Sequence, residues 1–176
     1  MRVIAGKFKK SNLFSVPGKT TRPTTDYIKE LIFSVIQDCE DKTILDLYAG
    51  SGGISIEAIS RGAKFATMID FSNKAIMTIK KNIEKLGISK QCRIYKKRSV
   101  NFLHKCEEKY DLIFLDPPYN KNLVNKTIEA IFENNALNPN GVIIVEHSSH
   151  EKISPLYEKK ITYEKKNGDT TITILS

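Results

Sequence analysis

The segment Asp116-Pro117-Pro118-Tyr119 combines residue types that can activate a planar amino group for attack on an electrophile. The exocyclic nitrogen of guanine, adenine or cytosine is a poor nucleophile because its lone pair is delocalised into the ring. Two acceptors on its N–H groups, the Asp116 carboxylate and the Pro117 carbonyl, would draw that nitrogen towards a tetrahedral geometry. Consecutive prolines fix two backbone dihedrals and remove two donors, and Tyr119 can stack on a base for about 1–3 kcal/mol. The segment therefore indicates methyl transfer to a planar amine, with a rigid strand-ending turn as the structural alternative.

A second informative segment is the stretch Tyr-Ala-Gly-Ser-Gly-Gly at 48–53, which follows a short apolar run. Glycines at such a place let the chain turn tightly and let a ligand approach the backbone. Asp46 precedes this loop, and Asp70, 24 positions further on, could accept both hydroxyls of a ribose. A dinucleotide fingerprint would have a third glycine where Ser55 stands. The loop therefore predicts a nucleotide-like ligand and, taken alone, leaves a nicotinamide or flavin enzyme open.

The hydrophobic pattern predicts the elements that position these two segments. The predicted strands are Arg2–Ala5, Thr43–Leu47, Phe65–Asp70, Arg93–Lys96, Leu112–Asp116, Val142–Glu146, Lys160–Glu164 and Thr170–Ile174. One predicted helix begins at Asp26, and a second begins in the loop at 48–53 and ends at Arg61. The other predicted helices cover Asn73–Leu86, Val100–Cys106, Leu123–Glu133 and His150–Tyr157. A turn is predicted at Asn138–Gly141. Strands that alternate with helices predict an α/β fold with a parallel sheet covered on both faces. Ligands of such sheets bind beyond the carboxyl ends of the strands, where both segments fall.

The charge of the chain favours a polyanionic partner. The net charge is +8 and the pI is about 9.3, and a basic surface gains affinity by releasing counterions from phosphates. Residues 1–25 contain six basic side chains and no acidic one. A block of this kind is typical of an arm that binds nucleic acid, although a merely solvated arm has the same composition.

Other features exclude several classes of protein. The three cysteines are far apart and form no Cys-x-x-Cys pair, so we expect neither disulfides nor a zinc site, and the histidines are not spaced as metal ligands. The longest apolar runs are too short to span a membrane, and the N-terminus has no secretory h-region. We therefore expect a cytoplasmic protein with no metal and no membrane partner.

Nearly from end to end, the chain resembles the RsmD-type family of bacterial ribosomal RNA methyltransferases. The glycine loop is shared by many methyltransferases, whereas the two N-terminal motifs are specific to this family. The similar stretches are Arg2–Lys7, Arg22–Asp26, Leu45–Gly53, Glu57–Ala63, Phe114–Tyr119 and Gly168–Thr170.

The resemblance implies a Rossmann-like class I methyltransferase with a seven-stranded, mostly parallel sheet, the last strand antiparallel, and helices on both faces. It implies a short basic N-terminal extension at residues 1–25, a methyltransferase domain at residues 26–176, and S-adenosyl-L-methionine as the methyl donor. The implied reaction is methylation of the N2 amino group of one guanine in small-subunit (16S) ribosomal RNA.

The expected site residues form three groups. For the donor they are Asp46, Tyr48, Ala49, Gly50, Ser51, Gly52, Asp70, Phe71, Ser99 and Val100. For the guanine they are Asp116, Pro117, Pro118 and Tyr119, and for the RNA they are Arg2, Lys7, Lys9, Lys10, Arg22, Thr24 and Thr25.

Two positions depart from the family pattern. The acid that ends the second strand is usually Glu, and Asp70 is one methylene shorter. Arg98 or Ser99 stands where the family usually carries Asp or Asn. We therefore expect backbone groups, and no particular side chain, to contact the adenine of the donor.

Three other functions share parts of this pattern. A DNA amino-methyltransferase uses the same Asp116–Tyr119 chemistry, but it normally carries a large target-recognition insertion for which 176 residues leave no room. A nicotinamide oxidoreductase does not account for Asp116–Tyr119, and a non-catalytic ribosome-assembly module predicts that this segment has decayed. The sequence favours a monomer acting on ribosomal RNA or a small-subunit ribonucleoprotein, and does not choose between these two substrates.

Overall fold

A computed structural model of the chain describes residues 1–18, 26–36, 38–119 and 121–176, and within them seven strands form one sheet. The strands are β1 (Thr43–Asp46), β2 (Phe65–Asp70), β3 (Cys92–Lys96), β4 (Tyr110–Leu115), β5 (Leu137–Ser148), β6 (Ile161–Asn167) and β7 (Thr170–Leu175). The helices are α1 (Asp26–Ile36), α2 (Gly53–Ser60), α3 (Asn73–Lys85), α4 (Ser99–Leu103) and α5 (Leu123–Glu133). None of the described helices is long and apolar enough to cross a membrane.

The order of strands in the sheet creates a crevice beside β1. The order is β3-β2-β1-β4-β5-β7-β6. Strands β1 to β5 are parallel, and β7 is antiparallel to both β5 and β6. The prediction of a mostly parallel seven-stranded sheet with an antiparallel last strand is therefore confirmed. The direction in which the chain adds strands reverses between β1 and β4, where open α/β sheets form their ligand crevice.

The sheet is buried on both faces, as the apolar strands require. Successive side chains of a strand point to opposite faces. In β1, Ile44 packs into the core that includes α1, α2 and α3, whereas Leu45 packs into the core that includes α4 and α5. Helices on both faces are thus confirmed, and the polar residues of interest are left at the strand ends.

The predicted turn at Asn138–Gly141 is wrong, because these residues belong to β5. Tyr110 of β4 pairs with Leu137, and Leu112, two residues further along β4, pairs with Val142, which is five residues further along β5. The extra β5 residues form an irregularity, where Asn140 has a φ of 63°. A bulge carries the same Asn and Gly signals as a turn, so the sequence pattern alone does not separate the two.

Two other predicted elements also differ from the structure. Arg2–Ala5 forms no strand, since only an isolated bridge joins Arg2 to Asn12, and the amides of Ile4 and Ala5 donate instead to a carboxylate of α2. The predicted helix at His150–Tyr157 is replaced by a 3-10 turn at Pro155–Lys160. An α-helix that began at His150 would need a hydrogen bond from the backbone N–H of residue 155, and Pro155 has no backbone N–H.

Candidate active site

The two segments that could do chemistry leave the sheet side by side. Strands β1 and β4 are parallel neighbours, and Asp46 pairs with Phe114. The glycine loop, residues 48–53, begins just after Asp46. Residues Asp116–Tyr119, which we call the base segment, begin two residues after Phe114. Both segments therefore border the same crevice at the carboxyl edge of the sheet.

The first two glycines of the glycine loop have different surroundings. Gly50 and Gly52 have φ values of 55° and 79°, which favour glycine. A side-chain carbon on Gly50 would meet only the Tyr48 carbonyl, at 4.0 Å. A carbon on Gly52 would lie 3.1 Å from the Met68 sulfur. Gly50 thus leaves open space over the loop, whereas Gly52 permits close packing of the loop on the sheet.

Asp46 is a buried carboxylate at the carboxyl end of β1. Ser55 of α2 donates to it at 2.9 Å, which explains why a serine occupies the third glycine position of a dinucleotide fingerprint. Burial raises the pKa of Asp46 to about 7; the charges of Asp116 and Asp70 also raise this pKa, and the Ser55 hydrogen bond opposes the rise. A cation bound nearby would therefore stabilise the ionised form of Asp46.

Asp70 fixes the glycine loop from the neighbouring strand. Its two carboxylate oxygens accept from the Gly50 amide at 2.9 Å and from the Ser72 amide at 2.8 Å. Each oxygen has a further lone pair, and the residue is partly exposed. Asp70 can therefore hold the loop and still accept a hydrogen bond from a ligand hydroxyl.

The remaining residues expected around the donor divide into packed and exposed side chains. The Ser99 hydroxyl is buried and donates to the Leu47 carbonyl, and Tyr48 and Val100 pack against the core formed by α4 and α5. Phe71, in contrast, is 59% exposed, and the Arg98 guanidinium lies 4.6 Å from its ring centre. Phe71 is therefore the apolar side chain available to a ligand on this side.

The base segment is more exposed than the glycine loop. Asp116, Pro118 and Tyr119 are exposed, whereas Pro117 is buried. The Tyr119 hydroxyl lies 2.9 Å from the hydroxyl of Thr170, the first residue of β7. Burial of the phenol raises the pKa of Tyr119, and the negative charges of Glu146 and Asp116 raise it further. Tyr119 is thus joined to the start of β7, and its surroundings favour the neutral phenol over the phenolate.

Thr170 is a contact of the base segment that the sequence did not predict. It belongs to the Gly168–Thr170 stretch that resembles the RsmD-type family, and the structure gives this stretch a physical role. The hairpin between β6 and β7 brings its hydroxyl to Tyr119, 51 positions away in the chain.

A second missed group lies under the N-terminal segment. Glu57 of α2 is fully buried and accepts from the amides of Ile4 and Ala5 at 2.8 and 3.0 Å. It also pairs with Arg61 at 2.9 Å and lies 3.9 Å from the buried ammonium of Lys29. Burial lowers the pKa of Lys29, and the charge of Glu57 opposes that shift. The chain at Ile4 and Ala5 is therefore held against α2 and is not part of a detached arm.

Asn82 of α3 joins this N-terminal segment to the glycine loop. Its side-chain amide donates to the carbonyls of Phe14 and Ser51, at 3.0 and 2.9 Å, and its oxygen accepts from the Phe14 amide at 2.8 Å. The side chain of Asn82 is fully buried. One amide therefore fixes the position of both segments.

The residues expected to bind RNA are only partly described. Arg2 forms an ion pair with Asp26 at 2.9 Å, Lys7 lies over the Phe8 ring, and Lys9 and Lys10 are exposed. Arg22, Thr24 and Thr25 lie outside the described residues. Within the described part of the chain, no cluster of three or more His, Cys, Asp or Glu residues could hold a metal ion.

Comparisons with known proteins agree with this architecture. The family model described as conserved hypothetical protein 95 matches residues 1–176. The YlbH protein of Bacillus subtilis is 42% identical over 151 residues, which cover 84% of this chain and 82% of YlbH. The ribosomal RNA small subunit methyltransferase D of Buchnera aphidicola subsp. Acyrthosiphon pisum is 37% identical over 169 residues, which cover 91% of this chain and 87% of that protein. The solved structure of the Escherichia coli protein YhhF is 28% identical, with a TM-score of 0.87, covering 99% of this chain and 96% of that one.

Proposed function

The chain belongs to the conserved hypothetical protein 95 family, the RsmD-type methyltransferases, and from that premise we propose that it methylates the N2 amino group of a guanine in small-subunit ribosomal RNA. S-adenosyl-L-methionine is the proposed donor. The observation that carries the proposal is the pairing of β1 with β4. It brings the glycine loop and the base segment to the two sides of one crevice, so a methyl donor and a planar amine can meet there.

The residues on the glycine-loop side fit this donor. S-adenosyl-L-methionine supplies an electrophilic methyl group on a positively charged sulfur. The open space over Gly50 admits a ligand close to the backbone, and the Asp70 carboxylate beside it can accept from ribose hydroxyls. Phe71 offers an exposed ring to the adenine. Asp46, whose pKa burial raises, would be stabilised in its charged form by the positive charge of the donor.

The residues on the other side fit an exocyclic amine. Asp116 and the Pro117 carbonyl accept the two N–H groups of guanine N2, which frees the lone pair for attack on the methyl carbon. As the new N–C bond forms, the C–S bond breaks and its electron pair stays on sulfur. Asp116 or water takes the proton that the nitrogen loses. Tyr119 stacks on the base, and its hydrogen bond to Thr170 limits the orientations of the ring.

Most of the rate in this scheme comes from positioning, because the donor is already activated. Holding two reactants in line can lower a barrier by about 7–11 kcal/mol. A guanine inside a helix would have to leave its stack to reach Asp116, or be unpaired already. Cations near the crevice would hold the flanking phosphates while the base is presented.

The test is mass spectrometry of ribosomal RNA nucleosides from the source bacterium with and without the gene, and with the gene restored. We expect N2-methylguanosine to disappear from one small-subunit site and to return on restoration. The purified protein with S-adenosyl-L-methionine should methylate the same site in RNA or subunits from the deletion strain. Methylation of DNA adenine or cytosine would favour the DNA amino-methyltransferase. An unchanged nucleoside profile together with defective subunit assembly would favour the non-catalytic module.

A further inference from the structure

We infer that a basic groove at the β3 edge of the sheet binds phosphates of the substrate RNA a few nucleotides from the target base. The inference rests on the proposed function and assigns the RNA a second contact surface besides the N-terminal segment. The groove has a volume of about 460 Å³ and is lined chiefly by Lys96, Lys97, Arg98, Asn101, Lys105 and Phe71. It lies at the end of β3 and along α4.

The cations of the basic groove are not paired with carboxylates of the described residues. Within the described ranges its lining contains no Asp or Glu, and its four cations form no ion pair with any described residue. Two of the four lie over aromatic rings: Arg98 over Phe71, at 4.6 Å, and Lys97 over Tyr95, at 5.7 Å. A ring can hold a cation through its quadrupole without cancelling the charge, so these groups are positioned and can still bind an anion.

The location of the basic groove suits RNA that is bound at the crevice. β3 is parallel to β2, β1 and β4, so Lys96 and Asp116 lie at the same edge of the sheet. Three strand spacings separate β3 from β4, which is about 14 Å. That span equals about four nucleotide steps of a duplex strand. An RNA whose base enters the crevice can therefore place a nearby phosphate in the groove.

A polyanion is the occupant that matches this surface best. Several cations side by side repel one another, and a chain of phosphates relieves that repulsion while its counterions are released. The donor carries a single adenosine and no phosphate, so it does not account for Lys96, Lys97 and Lys105. The groove adjoins the proposed donor site only at Phe71 and Arg98, and these two residues are left unchanged in the test.

The test compares two variants that lose the same number of lysines. The groove variant carries Lys96→Gln, Lys97→Gln and Lys105→Gln. The control variant carries Lys64→Gln, Lys90→Gln and Lys159→Gln, which are exposed lysines that precede β2, β3 and β6 at the opposite edge. Binding of small-subunit ribosomal RNA is measured between 50 and 200 mM salt, and S-adenosylhomocysteine binding is measured by calorimetry.

We expect the groove variant to bind RNA about tenfold more weakly at low salt, and its salt slope to fall by about 2, since each single-strand phosphate contributes about 0.7. S-adenosylhomocysteine affinity should not change. Equal salt slopes for the two variants, or a loss confined to S-adenosylhomocysteine, would overturn the inference, as would a wild-type protein that does not bind RNA. A wild-type protein that binds RNA but does not methylate guanine would contradict the proposed function. The comparison of salt slopes would still test whether the basic groove binds RNA.

Discussion

The two sides of the crevice differ in how far the protein alone fixes their geometry. On the donor side, Asp46 and Asp70 each accept hydrogen bonds from within the protein, and buried Asn82 holds the Ser51 carbonyl. On the base side, Asp116 and Tyr119 are exposed, and a pair of hydroxyls ties the base segment to β7. Hydrogen bonds within the protein therefore fix the donor side, whereas the side chains of the base side are exposed to solvent.

This difference matches what each side is proposed to bind. A free small molecule can enter a preformed site with little reorganisation, and preorganisation saves the free energy of ordering the loop at each turnover. A base that leaves a stack brings its own plane and its own hydrogen-bond donors, so the protein needs to present acceptors and one stacking surface. Substitutions on the base side should therefore affect chemistry, and substitutions on the donor side should affect folding and donor binding.

The largest effect expected from a single substitution is that of Asp116→Ala. Removing one acceptor that acts mainly in the transition state should lower kcat by about 10²–10³-fold. Asp116 is exposed, so the free energy of unfolding should change by less than the barrier to methyl transfer does. Single-turnover methyl transfer measures the first quantity, and S-adenosylhomocysteine calorimetry should show largely intact donor binding.

A suitable control for this experiment is Glu107→Ala. Glu107 is also exposed, but it lies just before β4, at the amino end of the strand. It should leave both turnover and donor binding unchanged. Retained turnover in Asp116→Ala would remove Asp116 from the proposed mechanism. A loss of donor affinity would instead assign Asp116 to the donor side of the crevice.

The second expected effect tests the donor side through Asn82→Ala. The substitution leaves the amide and carbonyl of Phe14 and the carbonyl of Ser51 without their side-chain partner. A buried group that loses its partner costs about 1–3 kcal/mol, so we expect a loss of about 2–3 kcal/mol in the free energy of unfolding. Donor affinity should also fall, because the glycine loop is no longer held by α3. Chemical denaturation and calorimetry measure the two effects.

Asn134→Ala is the matched control for Asn82→Ala. Among the described residues, the side-chain amide of Asn134 donates to the Ala130 carbonyl alone, at the C-terminal end of α5. Its loss should cost about 1 kcal/mol or less and leave donor affinity unchanged. If Asn82→Ala lowers stability while donor affinity stays at the wild-type value, the N-terminal segment and the glycine loop are not coupled through this residue.

The parts of this site that could be predicted from sequence are the ones encoded locally. The apolar run that becomes β2 ends at Asp70 both in the prediction and in the structure. The glycine loop follows β1 as expected, and Gly62 follows α2 with a φ of 104°. Such signals depend on neighbouring residues alone, so periodicity and turn chemistry are enough to place them.

The parts that could not be predicted depend on contacts between distant segments. Asn82 reaches Phe14 across 68 positions, and Glu57 reaches Ala5 across 52. In sequence, Asn82 is one polar residue of an amphipathic helix and Glu57 is one acid in a motif. The charge count of residues 1–25 indicated an arm, and it could not show that buried side chains hold the backbone of Ile4, Ala5 and Phe14.

The smallest expected effect is that of Tyr119→Phe, which removes the hydroxyl and keeps the ring. If the hydrogen bond to Thr170 positions the ring for stacking, its loss should cost about 1 kcal/mol, or about a fivefold fall in kcat/KM. Thr170→Val should give a similar loss, and the double variant should add little, because the two changes break the same bond. Tyr119→Ala should cost more, since it also removes about 1–3 kcal/mol of stacking. Fully additive losses for Tyr119→Phe and Thr170→Val would mean that each hydroxyl acts separately, and the bond between them would then not be what positions the Tyr119 ring.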